Sequence, residues 1–127
     1  MRVLIDTHIL LWALSAPAKL SKAARRMIDK SEIYVSAASI WEISIKTALG
    51  KLGKLDADPS EVLAAVEPAG FAMLSISGEH AAAVAKLGPQ HKDPFDRLLV
   101  AQALVEPMHL LTNDEVLGAY GAFVIVA

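Results

Sequence analysis

Two carboxylates at expected strand ends, Asp6 and Asp114, and two more near helices, Glu42 and one from Asp93-Pro94-Phe95-Asp96, could converge on one cation. Asp6 ends the β-branched run Val3–Ile5, and Asp114 closes Leu110-Leu111-Thr112-Asn113-Asp114, just after the apolar run Met108–Leu111. Asp96 sits in Asp93-Pro94-Phe95-Asp96, and Glu42 lies inside the nearly apolar stretch Ala37–Lys46. Hard divalent cations such as Mg²⁺ take oxygen ligands, typically a few carboxylates with waters and a substrate phosphate. A cation held this way acidifies a bound water and steadies charge on a phosphodiester under attack.

Each acid also has an ordinary explanation. Asp6 and Asp114 can cap the helices that follow them, with Thr7 supporting the first. Asp93 is a strong N-cap, because Pro94 suits the first helical position and Asp96 the third, where it can point back as in a capping box. Glu42 shares one helical stripe with Ser39 and Lys46, three and four residues apart, so a partly exposed Glu42–Lys46 pair accounts for it without any cleft. What separates these readings is whether the fold brings the four together.

Short apolar strands alternate with helices along the chain. Strands are expected at Val3–Ile5, Ile33–Val35, Phe71–Ile76, Met108–Leu111 and Phe123–Val126. Helices are expected from Ile9 to Ala13, over Leu20–Lys30 with Ser21 as cap, and from Ser36 or Ser39 towards Leu49. Three more follow: from Pro59-Ser60 to a stop before Pro68, over Gly78–Leu87, and over Pro94–Val105. Gly50–Asp58 is turn-rich. The alternation predicts one α/β domain spanning residues 1–127, a central parallel sheet with helices on both faces. Ligands in such folds lie beyond the carboxyl ends of the strands, which is where Asp6 and Asp114 fall.

Composition sets the outer limits. The 127 residues are 54% hydrophobic and 20% charged, enough apolar material for a packed core. Cysteine is absent, which removes disulfides, thiol nucleophiles and thiolate metal sites and fits a cytoplasmic protein. The formal charge is −2 and the pI about 6.0, so any nucleic-acid contact must be a local patch. Asp6 interrupts what would otherwise read as a signal-peptide core, and no apolar run approaches membrane-span length, so no membrane association is expected.

Three segments resemble the PIN-domain ribonucleases, in particular the VapC-type toxins of toxin–antitoxin pairs: Leu4–Leu14 (LIDTHILLWAL), Val35–Lys46 (VSAASIWEISIK) and His91–Ala103 (HKDPFDRLLVAQA). A shorter match at Leu110–Asp114 has the order and position of that family's last motif. The resemblance implies a PIN fold and cleavage of single-stranded or looped RNA with Mg²⁺ or Mn²⁺. Position by position it assigns Asp6, Glu42, Asp96 and Asp114 to the acidic quartet, with Asp6, Asp96 and Asp114 as metal ligands. It makes Asp93 an auxiliary acid and pairs Thr7 and Thr112 with the first and last acids. It also implies a VapB-like antitoxin and a homodimer.

Candidate phosphate contacts are Lys46, Lys51, Lys54, Lys92 and Arg97, each equally explicable as solvated surface charge. His8, His80, His91 and His109 have no close metal-ligand spacing, and none is expected to act as ligand or base. Trp12 and Trp41 are expected in the core or at a dimer contact. Gly50-Lys51-Leu52-Gly53-Lys54 lacks phosphate-loop spacing and a preceding strand, and reads as the loop ending a helix. A catalytically inactive PIN-like binding module, a haloacid-dehalogenase-type phosphatase and a flavodoxin-like receiver are the alternatives. The phosphatase wants a second Asp where His8 stands, and the receiver lacks its acidic pair and late lysine.

Overall fold

The computed structural model describes residues 1–50, 57–89 and 91–127. Five described strands form one wholly parallel sheet: β1 (Arg2–Ile5), β2 (Glu32–Ser36), β3 (Ala72–Leu74), β4 (His109–Thr112) and β5 (Val124–Val126), in the order β3-β2-β1-β4-β5. The central strand β1 shows why both faces are covered. Val3 and Ile5 pack into one apolar cluster with Ile9, Leu10, Ala24, Ile43, Val62 and Val66, while Leu4 packs into the other with Leu99, Val100, Leu110 and Leu117. All three are fully buried, and the period-two alternation of the strand sends neighbours to opposite layers.

The first layer holds α1 (Thr7–Ser15), α2 (Lys22–Lys30) and α4 (Pro59–Val66); the second holds α6 (Pro94–Val105), against which α5 (Gly78–Ala83) packs. Between them, α3 (Ala37–Ala48) gives Ile43 to one cluster and Ala38 to the other. The chain leaves β1 towards β2 on one side and reaches β4 on the other, so the strand order reverses beside β1. This is the topological position at which α/β sheets bind ligands. Ile5 is level with Val35 and Leu111, so Asp6 stands one residue beyond the sheet, level with Ser36 and Thr112.

Several boundaries differ from the sequence expectation for local reasons. Helix α1 starts at Thr7, directly after its cap Asp6, which accepts from the Ile9 amide at 2.9 Å. Strand β3 is shorter than Phe71–Ile76, since the Ser75 carbonyl accepts from the Gln102 side chain and Ser77 opens α5 in a capping box with His80. The helix expected over Gly78–Leu87 tightens into a 3-10 turn at Val84–Lys86, where Arg97 takes the Val84 carbonyl. Met108 stays outside β4 because its amide closes the end of α6 on the Ala103 carbonyl. Helix α3 ends before Gly50, which is in the left-handed region at φ 67°; the rest of the Gly50–Lys54 loop, with Lys51 and Lys54, lies outside the described residues. No helix among the described residues is long and apolar enough to cross a membrane.

Candidate metal centre

Asp6, Asp93, Asp96 and Asp114 are delivered by the end of a strand or the start of a helix, where backbone amides point outward and carboxylates are favoured. Asp6 is buried, yet both its oxygens are used: Oδ1 takes the Ile9 amide and Oδ2 accepts from Thr112 Oγ1 at 2.5 Å. The same Thr112 oxygen accepts from the Asp114 amide at 3.0 Å, tying the ends of β1 and β4 together. Asp114 in turn caps the 3-10 turn Glu115–Tyr120 through the Val116 amide.

Glu42 reaches the same place from α3. It is 2% exposed, and its Oε1 accepts from the Thr7 hydroxyl, which also lies 3.0 Å from Ser39 Oγ. Its Oε2 is paired with Lys46, whose ammonium also contacts Asp93 Oδ2 at 3.1 Å. Asp93 Oδ1 caps α6 on the Phe95 and Asp96 amides, at 2.8 and 3.2 Å. Both readings of these residues therefore hold together: the caps exist, and the capping carboxylates converge.

The electrostatics locate what is missing. Burial pushes the Asp6 carboxyl above its ordinary value, with Glu42 adding to the shift and Thr112 and the Ile9 amide opposing it. Partial burial works against the charge of Asp93 as well, but Lys46 and two amides outweigh it and hold that carboxyl below its ordinary range. Burial likewise opposes charge on Lys46, and contact with Glu42 and Asp93 outweighs it, raising the ammonium's pKa. Asp96 has no such relief. Burial, then the charges of Asp93, Glu42 and Asp6, lift its carboxyl to about 7, against only the opposing influence of His91. Among the described residues, the one basic side chain within ion-pair distance of it is that imidazole, at 3.4 Å.

His91 is the residue that sequence reasoning missed. Its Nε2 lies 3.1 Å from Asp114 Oδ2 and 3.4 Å from Asp96 Oδ2, and one ligand atom from each of the three falls within 4.8 Å of the others. Spacing gave no hint because its partners stand five and twenty-three positions away, on two elements; only its place beside the Asp93–Asp96 motif pointed here. Arg97 needs the opposite correction. Instead of facing outward for phosphate, its guanidinium donates to the carbonyls of Gly88, Val84 and His91 and to Tyr120 Oη, at 2.8 to 3.3 Å. Lys92 is exposed beside the site, whereas Lys46 is engaged by the two acids. Trp41 is not core: it is 54% exposed and meets Phe95 edge-on, with ring centroids 4.8 Å apart. Trp12 is half-buried against the first cluster.

Comparison with known proteins adds a family match. The PIN domain matches residues 3–122. The chain belongs to the PIN domain family. Its fold is also that of solved structures over nearly the whole length. VapBC2 from Rickettsia felis, bound to a DNA fragment from the promoter, superposes with a TM-score of 0.69 at 15% identity, covering 100% of this chain and 98% of that one. A toxin–antitoxin complex from Klebsiella pneumoniae gives 0.66 at 17% identity, covering 98% and 96%. FitAcB from Neisseria gonorrhoeae gives 0.63 at 15%, with the same coverage. No curated protein matches the sequence significantly. This PIN domain therefore has the five-stranded parallel sheet and flanking helices expected of it.

Proposed function

We propose that this PIN domain is a Mg²⁺- or Mn²⁺-dependent endoribonuclease and the toxin member of a toxin–antitoxin pair, acting in the cytoplasm. The observation that carries the reading is Asp96, a carboxyl crowded by three other acids at the carboxyl end of the sheet, whose one basic side-chain neighbour among the described residues is His91. Oxygen-only donors in that arrangement suit a hard divalent ion. Asp6, Asp96 and Asp114 would hold it, and the ion supplies acidification of water and neutralisation of phosphate charge. Glu42 completes the pocket as a fixed anion, oriented by Thr7 and restrained by Lys46. Thr112 keeps Asp6 and Asp114 in register with each other. Asp93 positions the start of α6 and sets Lys46 between two acids. Lys92, exposed beside His91, is the proposed RNA contact, and Lys46 serves as a second only when an incoming phosphate competes for its ammonium.

The proposed partner is a small antitoxin whose tail crosses the acidic cleft. The solved relatives named as toxin–antitoxin complexes support this, and so does the surface. Trp41 and Ile45 on α3 and Leu49 at its C-terminal cap are exposed at four-residue intervals, along the helix that carries Glu42 and Lys46 into the cleft. An amphipathic segment can lie along that stripe while an arginine beside it pairs with the acids. A homodimer is proposed on the family resemblance.

Incubating the purified protein with structured RNAs, with and without EDTA, tests the catalytic claim. Cleavage should require the metal and should be lost in Asp6→Asn and Asp96→Asn. Activity undiminished in chelator would reject the metal mechanism. Expression in a host, alone and with the adjacent small protein, tests the toxin claim; harmless high-level expression alone would count against it.

A further inference from the structure

The geometry points to His91 as an internal placeholder for the cation: its Nε2–H is hydrogen-bonded to Asp114 and lies 3.4 Å from Asp96 in the metal-free protein, and a divalent ion must displace that contact to bind. This rests on the metal reading above and assigns the imidazole a positioning role, distinct from that of a ligand.

The tautomer follows from one hydrogen bond. The backbone N–H of Asp93 donates to His91 Nδ1 at 2.9 Å, so Nδ1 presents its lone pair and carries no proton. The ring proton is therefore on Nε2, which faces Asp114 Oδ2 at 3.1 Å and Asp96 Oδ2 at 3.4 Å, both acceptors. A nitrogen that carries a proton has no lone pair for a metal. To ligate through Nε2, the ring would have to move its proton to Nδ1 and set it against the Asp93 N–H, donor facing donor. The loop is also anchored, since the His91 carbonyl accepts from Arg97 at 3.3 Å and Gly88 is held by the same guanidinium at 2.8 Å. Arg97 thus acts on the centre indirectly, through the loop it fixes.

Two carboxylates this close repel each other, and a donor between them keeps the cleft assembled before the ion arrives. The same donor competes with the ion. Removing it therefore raises metal affinity, whereas removing a ligand lowers it, and the sign of the change separates the two roles.

The test is Mn²⁺ binding by calorimetry at one pH, on the full chain and on His91→Asn and His91→Ala. Asn can still accept the amide two residues on, as in an Asx turn, and so retains the loop. Both variants are expected to bind Mn²⁺ about tenfold more tightly, the size of one charge-assisted hydrogen bond. Equal or weaker binding by both overturns the placeholder role. Histidine ¹⁵N spectra of the unmodified protein give a second measurement that no misfolded variant can spoil. The Nε2–H form should be present without metal and persist with Mg²⁺, while its proton resonance shifts as the carboxylate contact is lost. A proton on Nδ1, or a switch to it on adding Mg²⁺, refutes the inference. An unmodified protein that binds no Mn²⁺ at all overturns the metal reading itself and the placeholder with it, an outcome distinct from normal binding with unimproved variants.

Discussion

Neutralising Asp96 should stabilise the metal-free protein, and by an amount that grows with pH. Its carboxyl is raised from the ordinary 3.8 to about 7 in the fold. A raised folded-state value means that the contribution to stability is fully present below 3.8 and is lost as pH rises through about 7. One pH unit of displacement corresponds to about 1.4 kcal/mol, so the cost of folding with Asp96 is about 1.6 kcal/mol at pH 5 and about 4 kcal/mol at pH 8. Asp96→Asn removes an ionisable group of nearly the same shape and therefore recovers this cost. Urea unfolding in EDTA, followed through Trp12 and Trp41 fluorescence, should show the variant gaining more at pH 8 than at pH 5, by about 2 to 3 kcal/mol. Adding Mg²⁺ should narrow the difference, because the ion stabilises the unmodified protein by linkage and has lost a ligand in the variant. A gain that is the same at both pH values, or a loss at pH 8, would refute the reasoning that anionic crowding strains this carboxyl.

Arg97→Lys should lower stability by at least about 2 kcal/mol in urea unfolding, since one ammonium cannot replace a planar fork shared among three carbonyls and Tyr120. Asp93→Asn should retain more cleavage than Asp6→Asn in the same assay, because Asn preserves the cap on α6 and loses only the charge facing Lys46. Trp41→Ala should change unfolding free energy by less than about 1 kcal/mol, the side chain being more than half exposed. Capture by the antitoxin, measured by surface plasmon resonance, should nonetheless weaken at least about tenfold, as for a buried aromatic anchor.

The parallel sheet was legible because its strands are short, apolar and separated by helical periodicity, and because an acid follows two of them directly. The acids were legible by type and order, and the caps by their local motifs. Contacts made across elements were not. The pairing of Lys46 with Asp93 spans 47 positions and that of His91 with Asp114 spans 23, and neither leaves a periodic trace. Arg97 was misread for the same reason. A cation one residue after a proposed metal ligand reads as a phosphate contact, but its acceptors are carbonyls of a loop whose path only the fold determines. The shortened β3 was hidden because a side chain, that of Gln102, takes the carbonyl a longer strand would have used.

The distribution of partners explains how a chain of net charge −2 can hold an acidic pocket together without a basic surface field. Most of these acids have local partners: Glu42 has Thr7 and Lys46, Asp93 has Lys46 and two amides, and Asp114 has His91 and the Val116 amide, while Asp6 has a hydroxyl and an amide that only oppose the effect of its burial. Asp96 shares His91 with Asp114, at the longer of the two distances. Unmet charge therefore remains at Asp96 as well as at buried Asp6, and a divalent ion held there would relieve the repulsion among the neighbouring acids. Binding must also expel the proton that Asp96 holds below about 7. Apparent Mg²⁺ affinity should accordingly rise about tenfold per pH unit up to neutrality and then level off. Calorimetric titrations in two buffers of different ionisation enthalpy would measure that released proton directly. Binding that releases no proton at pH 6 would show that Asp96 is already ionised and that the crowding has been answered by some other group.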